Sequence, residues 1–109
     1  MQTATVVEDR IFQALADPSR RAIFESLTRG EAAVKDLTSR FDISQPAVSQ
    51  HLATLKAAGL ICGRREGRCV YYRVEPRGMK PLVDWIAHYR AFWTEHVKRL
   101  EELLEKLDE

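Results

Sequence analysis

The stretch ISQPAVSQHLATLKAAGLI, residues 43–61, decides the fold, because it contains the start, the buried face and the end of one helix. Ser44 is a good N-cap. Pro46 suits the first turn, because backbone N–H groups there have no acceptor within the helix and proline lacks one. Apolar residues fall at i, i+4 and i+7 and predict one buried face: Val48, Leu52 and Leu55. Gly59 marks the end, since glycine readily adopts the left-handed conformation that closes many helices. We therefore predict an amphipathic helix over residues 44–58 with a free polar face.

The residues before this helix predict three further helices and a strand. Residues 8–28 predict two helices that meet at Asp17-Pro18, where the aspartate caps the second helix and the proline opens it. Residues 32–34 predict a very short strand, and residues 36–41 predict a short third helix. Only two residues separate this third helix from the fourth. Residues 36–58 therefore predict a helix-turn-helix.

The residues after Gly59 predict a β-hairpin over residues 60–74. Residues 60–65 and 69–74 are strand-like runs, and the second contains three residues that favour strands, Val-Tyr-Tyr. Glu66-Gly67 is the expected two-residue turn, because glycine permits the positive φ that a tight hairpin needs. A hairpin in this position is a wing, so the sequence predicts a winged helix-turn-helix.

Residues 81–107 predict a long helix, about 40 Å in length at about 1.5 Å per residue. Apolar residues recur at every seventh position along it: Ile86, Trp93, Leu100 and Leu107. A chain of 109 residues buries only a modest core, so a partner must cover part of this seam. We predict a mostly α-helical fold with a small β-hairpin wing, a single domain over residues 1–109, and a dimerisation helix at residues 81–107.

The charges are distributed unevenly, although the formal net charge is only +1. Residues 44–73 contain five basic residues and one acidic residue, a local charge of +4. Residues 101–109 contain five acidic residues and one lysine, a local charge of −4. A basic middle beside an acidic tail suits a protein that turns one surface towards phosphate. Together with the helix-turn-helix, this distribution predicts binding to double-stranded DNA.

The polar face of helix 44–58 and the tip of the wing supply the candidate DNA contacts. The major groove accommodates one α-helix, glutamine pairs with adenine, and serine and threonine bond to several groups. Arginines at the tip of a hairpin reach phosphates or the adjacent minor groove. The candidate residues are Ser44, Gln45, Ser49, Gln50, His51, Thr54, Lys56, Arg64, Arg65 and Arg68.

Three stretches resemble the ArsR/SmtB family of winged-helix repressors: LADPSRRAIFESL (15–27), ISQPAVSQHLATLKAAGLI (43–61) and RREGRCVYYRV (64–74). The resemblance covers roughly residues 11–74, with a family-like long helix afterwards. It implies a homodimeric repressor that binds an imperfect inverted repeat near its own promoter. It also implies that the first and last helices form the dimer. The interface residues would then be Ile11, Phe12, Leu82, Ile86, Tyr89, Trp93, Val97 and Leu100.

The metal motifs of the family are missing from this sequence. One family site uses Cys-x-Cys at the start of the third helix, but residues 33–37 contain no cysteine. Another uses Asp-x-His and His-x-x-His or His-x-x-Glu pairs on the last helix, whereas Asp84 lacks its histidine and Arg99 stands where His96 needs a partner. Two ligands do not close a tetrahedral site. We therefore expect no metal and no other cofactor, as in the branch of the family without metal sites, and the residues identify no inducer.

Cys62 and Cys69 leave a thiol-based alternative open, a repressor that responds to oxidants or arsenite. A turn at Glu66-Gly67 would make the two cysteines diagonal neighbours on one face, at about 7–8 Å. That separation exceeds the usual reach of a disulfide, so two unreactive thiols are the default expectation.

A winged-helix module that binds protein is a second alternative, although it would not need the basic segment. An enzyme is not expected, because no nucleophile elbow, phosphate loop or metal-hydrolase motif is present. The start of the chain lacks a signal-peptide pattern and no apolar run approaches a membrane span of about 20 residues. We expect a cytoplasmic protein.

Overall fold

The computed structural model describes residues 2–108 and confirms a mostly helical fold with a small three-stranded sheet. The elements follow the predicted order and are α1 (Gln2–Ala16), α2 (Pro18–Leu27), β1 (Ala32–Ala33), α3 (Val34–Arg40), α4 (Gln45–Ala57), β2 (Ile61–Glu66), β3 (Cys69–Val74), a 3₁₀ turn (Pro76–Met79) and α5 (Lys80–Asp108). α3 and α4 form the helix-turn-helix, and β2 and β3 form the wing. No helix in this part of the chain is long and apolar enough to cross a membrane.

Several boundaries differ from the sequence prediction. α1 begins at Gln2 rather than at residue 8, and α5 extends one residue beyond the predicted 81–107 at each end. α3 begins at Val34 rather than at residue 36, because the Asp36 carboxylate accepts the backbone N–H of Ala33 at 3.1 Å. That bond closes the first turn of the helix and limits β1 to two residues.

Both ends of α4 are closed by hydrogen bonds. The Ser44 hydroxyl accepts the backbone N–H of Ala47 at 3.2 Å, as an N-cap does. At the other end Gly59 has a φ of +80°, and its N–H donates to the carbonyl of Lys56 at 2.9 Å. The N–H of Leu60 reaches back to the Leu55 carbonyl at 3.1 Å, which completes a Schellman motif. The end of α4 therefore determines where the wing begins.

The core joins α1–α4 and the start of β2. Its largest fully buried side chains are Ile11, Ile23, Leu37, Val48, Leu52, Leu55 and Leu60. The predicted inner face of α4 is thus confirmed. Ile11 corrects the sequence prediction, because it is 0% exposed within one protomer and leaves no surface for a dimer partner. α1 packs against α2 and α4 as well as α5, which explains why its inner face is buried within the protomer.

The wing register also differs from the prediction. The sheet order is β1-β3-β2, with antiparallel pairing throughout, and Glu66 pairs with Cys69. The turn therefore lies at Gly67-Arg68, one residue later than expected, with Gly67 at a φ of +63°. Cys62 pairs with Arg73, so the two cysteines lie four residues apart along one face, about 13 Å at about 3.3 Å per residue. The prediction that the thiols are diagonal neighbours is wrong.

α5 extends away from the rest of the molecule and is exposed over most of its length. Near its start, the ring of Trp85 packs edge-on against Phe12 of α1 at 5.4 Å between centroids. Leu82 is half-buried against the core. From Val83 onwards, large apolar side chains are 39–56% exposed, and Leu107 is 74% exposed: Val83, Ile86, Tyr89, Phe92, Trp93, Val97, Leu100, Leu103 and Leu104. The protomer therefore presents a long uncovered apolar face.

Gly78 provides a stability test, because a Cβ there would lie 1.7 Å from the carbonyl oxygen of Gly59. The 3₁₀ turn or the end of α4 must shift to accept a methyl group, so we expect Gly78→Ala to destabilise the protein by about 1–3 kcal/mol. Urea denaturation followed by circular dichroism measures this. Arg77→Ala, at an exposed neighbouring position, is the control. Equal midpoints for Gly78→Ala and the wild type would contradict the close approach.

Candidate nucleic-acid interface

The outward face of α4 carries a short row of uncharged polar side chains. Gln45, Ser49 and Gln50 are exposed, as is the N-cap residue Ser44. Among the polar residues of α4, Gln50 points most directly away from the core, since it lies about 140–160° around the helix from each buried residue at about 100° per residue. Lys56 is exposed near the far end of the helix. All five of these side chains are accessible at the surface of α4 and its N-cap.

Two other predicted contacts, His51 and Thr54, lie on the flank of α4 and already have internal partners. The Thr54 hydroxyl donates to the Gln50 carbonyl at 3.2 Å. Nδ1 of His51 lies 3.4 Å from Nη1 of Arg20 on α2. Arginine has only donors, so Nδ1 is the acceptor in any hydrogen bond between the two side chains. Both side chains are half-buried, and they are less available to DNA than Gln50 is.

Arg20 joins the end of α1 to α4 and was not singled out from the sequence. Its Nε donates to the carbonyl of Ala14 at 2.5 Å and its Nη2 to the carbonyl of Gln13 at 3.1 Å. These are carbonyls of the last turn of α1, which have no partner within that helix. A cation at a helix C-terminus is also favoured by the helix dipole. Arg20 thus holds α1, α2 and the flank of α4 together.

The tip of the wing and the start of α4 meet in one cleft of about 300 Å³. Its lining includes Gln45 and Arg68, and Lys35 of α3 adds a second positive charge. Arg65 and Arg68 are exposed. Lys35 was missed from the sequence because its position at the start of α3, facing the wing, appears only in the folded chain. The cleft brings together donors from three elements that suit a phosphate backbone.

Arg64 differs from the other wing arginines, because side chains of the same protomer surround it. Its Nε donates to Glu31 Oε2 at 3.1 Å, its Nη2 donates to the other oxygen of Glu31, and its Nη1 donates to Glu66 Oε2 at 2.7 Å. The hydrogen bond from Arg64 lowers the pKa of the Glu31 carboxyl below its ordinary value. The bonds to Glu31 and Glu66 raise the pKa of the Arg64 guanidinium.

The two cysteines lie in different surroundings. The Cys62 thiol is half-buried and donates to the Glu75 carboxylate at 3.8 Å between sulfur and oxygen. Cys69 is exposed and lines the cleft beside Arg68. Their separation along the hairpin prevents a disulfide within one protomer.

Arg20→Ala tests the link between α1 and α4. The variant leaves the carbonyls of Gln13 and Ala14 without their charged donor, so we expect a loss of about 1–3 kcal/mol in the free energy of unfolding. Urea denaturation measures the loss. Arg10→Ala, at an exposed position of α1, controls for the removal of one positive charge. If both variants unfold at the same midpoint, Arg20 does not hold these elements together.

Comparisons with known proteins agree with this geometry. Residues 17–62 match the family model described as "Bacterial regulatory protein, arsR family". The chain is 41% identical over 97 residues to an HTH-type transcriptional regulator of Mycobacterium tuberculosis, a match that covers 89% of this chain and 88% of that protein. It is 32% identical over 81 residues to the transcriptional repressor SdpR of Bacillus subtilis, which covers 74% of this chain and 90% of SdpR.

A solved structure extends the agreement to three dimensions. The crystal structure of an ArsR family transcriptional regulator superimposes with a TM-score of 0.74 at 33% identity, covering 83% of this chain and 93% of that one. The sequence match contains the helix-turn-helix, and the structural match is broad enough to include most of the winged fold. The chain therefore belongs to the ArsR family and is a DNA-binding transcriptional regulator rather than an enzyme.

Proposed function

We propose that this regulator is a homodimeric repressor that places α4 in the major groove of an inverted-repeat operator near its own promoter. The observation that carries the proposal is the cleft shared by Gln45 at the start of α4 and Arg68 at the tip of the wing. The cleft therefore holds the start of α4, which would enter the groove, and the Arg68 cation, which would bind the flanking backbone, at the same surface. Repression is proposed from the relatives, among which SdpR is a transcriptional repressor. The site of action is the cytoplasm, with the DNA.

The proposed contacts divide into those that read bases and those that bind the backbone. Gln45, Ser49 and Gln50 face the base edges, because they are uncharged, exposed and on the outward side of α4. The backbone contacts are charged side chains or lie at the capped helix start: Ser44, Lys56, Arg65 and Arg68. Backbone contacts give affinity and register, whereas base contacts give sequence preference. His51 and Thr54 support α4 from its flank.

The proposed dimer is supported by the uncovered apolar face of α5. Monomeric proteins rarely expose a contiguous apolar patch larger than a few hundred Å². The face runs from Val83 to Leu107 and joins Phe12 of α1 through Trp85. A second copy supplies an identical apolar face, and a two-fold axis brings the two into contact. Of the residues predicted from the sequence, Phe12, Ile86, Tyr89, Trp93, Val97 and Leu100 remain in this interface, Leu82 lies at its edge, and Ile11 does not belong to it.

A two-thiol sensor within one protomer is not part of the proposal. Cys62 and Cys69 lie too far apart to form a disulfide or to grip one arsenite ion together. No inducer is proposed.

The proposal is tested by titrating a labelled fragment of the chain's own upstream region at several salt concentrations. A scrambled fragment of equal length is the control. We expect tighter binding to the upstream fragment and an affinity that falls steeply with salt, since each neutralised phosphate releases counterions. Equal affinity for both fragments would contradict an operator-specific repressor. A DNA-binding affinity that does not change with salt concentration would contradict the proposed contacts to the DNA backbone.

Gln50→Ala tests base reading by α4. The variant removes the most outward polar side chain of the helix without disturbing its buried face. We expect operator binding to weaken by about 1–3 kcal/mol at fixed salt, with the salt dependence unchanged. Ala53→Ser, at another exposed position of α4, is the matched control. Unaltered affinity in Gln50→Ala would remove Gln50 from the interface.

Trp93→Asp tests the dimer. Trp93 is 54% exposed in the protomer, so an aspartate there is tolerated by the monomer but places a charge within the proposed apolar interface. We expect analytical ultracentrifugation to find a folded monomer. Thr94→Asp, which adds the same charge at the next position, should remain dimeric. A Trp93→Asp protein that still sediments as a dimer would refute the interface.

A further inference from the structure

The charge around Arg64 is unsuited to a phosphate contact. One guanidinium is bonded to two carboxylates, those of Glu31 and Glu66, so its positive charge is already balanced within the protomer. All three guanidinium nitrogens are engaged within the protomer, and the cation lies 5.0 Å from the centre of the Tyr71 ring. A guanidinium that is already paired with two carboxylates attracts a phosphate less than a free one does. Arg64, one of the three wing arginines predicted to contact DNA, is therefore committed to contacts within the protomer.

The pair of Arg64 and Glu31 spans the whole sheet. Arg64 lies on β2 directly opposite Tyr71 of β3, and Glu31 immediately precedes β1 on the far side of β3. The guanidinium therefore crosses over the middle strand, with the Tyr71 ring beneath it. Both oxygens of Glu31 accept from two nitrogens of Arg64, a bidentate arrangement that fixes direction as well as distance.

β1 is a second connection between the wing and the helix-turn-helix, besides the short segment that runs from α4 into β2. It contains only two residues, Ala32 and Ala33, and the chain passes from Ala33 straight into α3. β1 pairs with β3 through those two residues alone. By contrast, β2 has no ladder pairing to β1, since β3 lies between them. The Arg64–Glu31 ion pair joins β2 by side chains to the segment that leads into α3.

We infer that Arg64 is a positioning residue, which with Glu31 holds the wing at a fixed angle to the helix-turn-helix so that Arg65 and Arg68 meet the DNA backbone while α4 occupies the groove. This inference rests on the proposed function, because a fixed angle matters only if both elements bind one DNA molecule. A loosened wing must be ordered upon binding, and that ordering lowers affinity.

Glu31→Gln is the sharpest test, because the two explanations of Glu31 predict opposite changes in DNA-binding affinity. If Glu31 acts only through its charge, removing an acid near the wing reduces repulsion and tightens DNA binding. If Glu31 positions Arg64, its loss frees the wing and weakens binding. We expect weakening of about two- to fivefold at fixed salt, the range of an exposed ion pair expressed as an affinity. Glu25→Gln, at an exposed acid of α2, is the control and should not weaken binding.

Arg64→Lys and Arg68→Ala separate positioning from phosphate contact. Lysine keeps the charge but cannot form the bidentate pair, so Arg64→Lys should weaken binding as Glu31→Gln does and leave the salt slope unchanged. Arg68→Ala should reduce the salt slope by about one per protomer, and so by about two for the dimer. Retained affinity in Arg64→Lys, or a slope reduced by about two for the dimer in Arg64→Ala, would make Arg64 a phosphate contact and overturn the inference.

Amide hydrogen exchange on the free protein tests the inference without DNA. Wing amides of residues 63–72 should exchange faster in Glu31→Gln and Arg64→Lys, whereas core amides of α4 should keep the wild-type rate. Unchanged exchange in the wing of both variants would overturn the inference. If wild-type protein fails to bind its upstream DNA, the proposed function fails, and the exchange rates still decide whether Arg64 holds the wing.

Discussion

Burial of one face of α4 is the constraint on which the rest of the structure depends. Val48, Leu52 and Leu55 are almost completely excluded from solvent, so the helix cannot rotate about its axis without exposing a row of apolar groups. The same burial turns Gln50 outward. The Schellman motif at Gly59 then places Leu60 in the core beside Leu55, and β2 starts from there. The orientation of α4 and the origin of the wing are thus consequences of a single packing arrangement.

Much of this arrangement was predictable from the sequence, because it depends on local signals. The N-cap at Ser44, the apolar spacing along α4 and the glycine after it each act within a few residues. The hairpin turn was misplaced by one residue, since both Glu66-Gly67 and Gly67-Arg68 put a glycine at a turn position. Only the pairing of Glu66 with Cys69 distinguishes them. The early start of α3 was missed because it requires the Asp36 side chain to close the turn.

The candidate site was less predictable, because a side chain's role depends on what surrounds it after folding. Arg64, Arg65 and Arg68 are equivalent in the sequence, yet two acids from different elements surround Arg64 alone. His51 was predicted to contact DNA, but in the folded chain its ring lies against Arg20 of α2. The family resemblance placed Ile11 in the dimer interface, but Ile11 is buried in the core of its own protomer. Long-range contacts of this kind leave no periodic signature in the sequence.

The central claim is that α4 occupies the major groove and the wing contacts the flanking backbone, once in each half of a two-fold complex. A dimethyl sulfate footprint on the upstream fragment tests this most directly, because the reagent methylates guanine N7 in the major groove. Combined with hydroxyl-radical cleavage of the same complex, it should show protected guanines in two half-sites about 10 base pairs, or a multiple of that, apart, each with backbone protection beside it. Bound protein that leaves every guanine N7 reactive, or that protects a single half-site, would contradict the account.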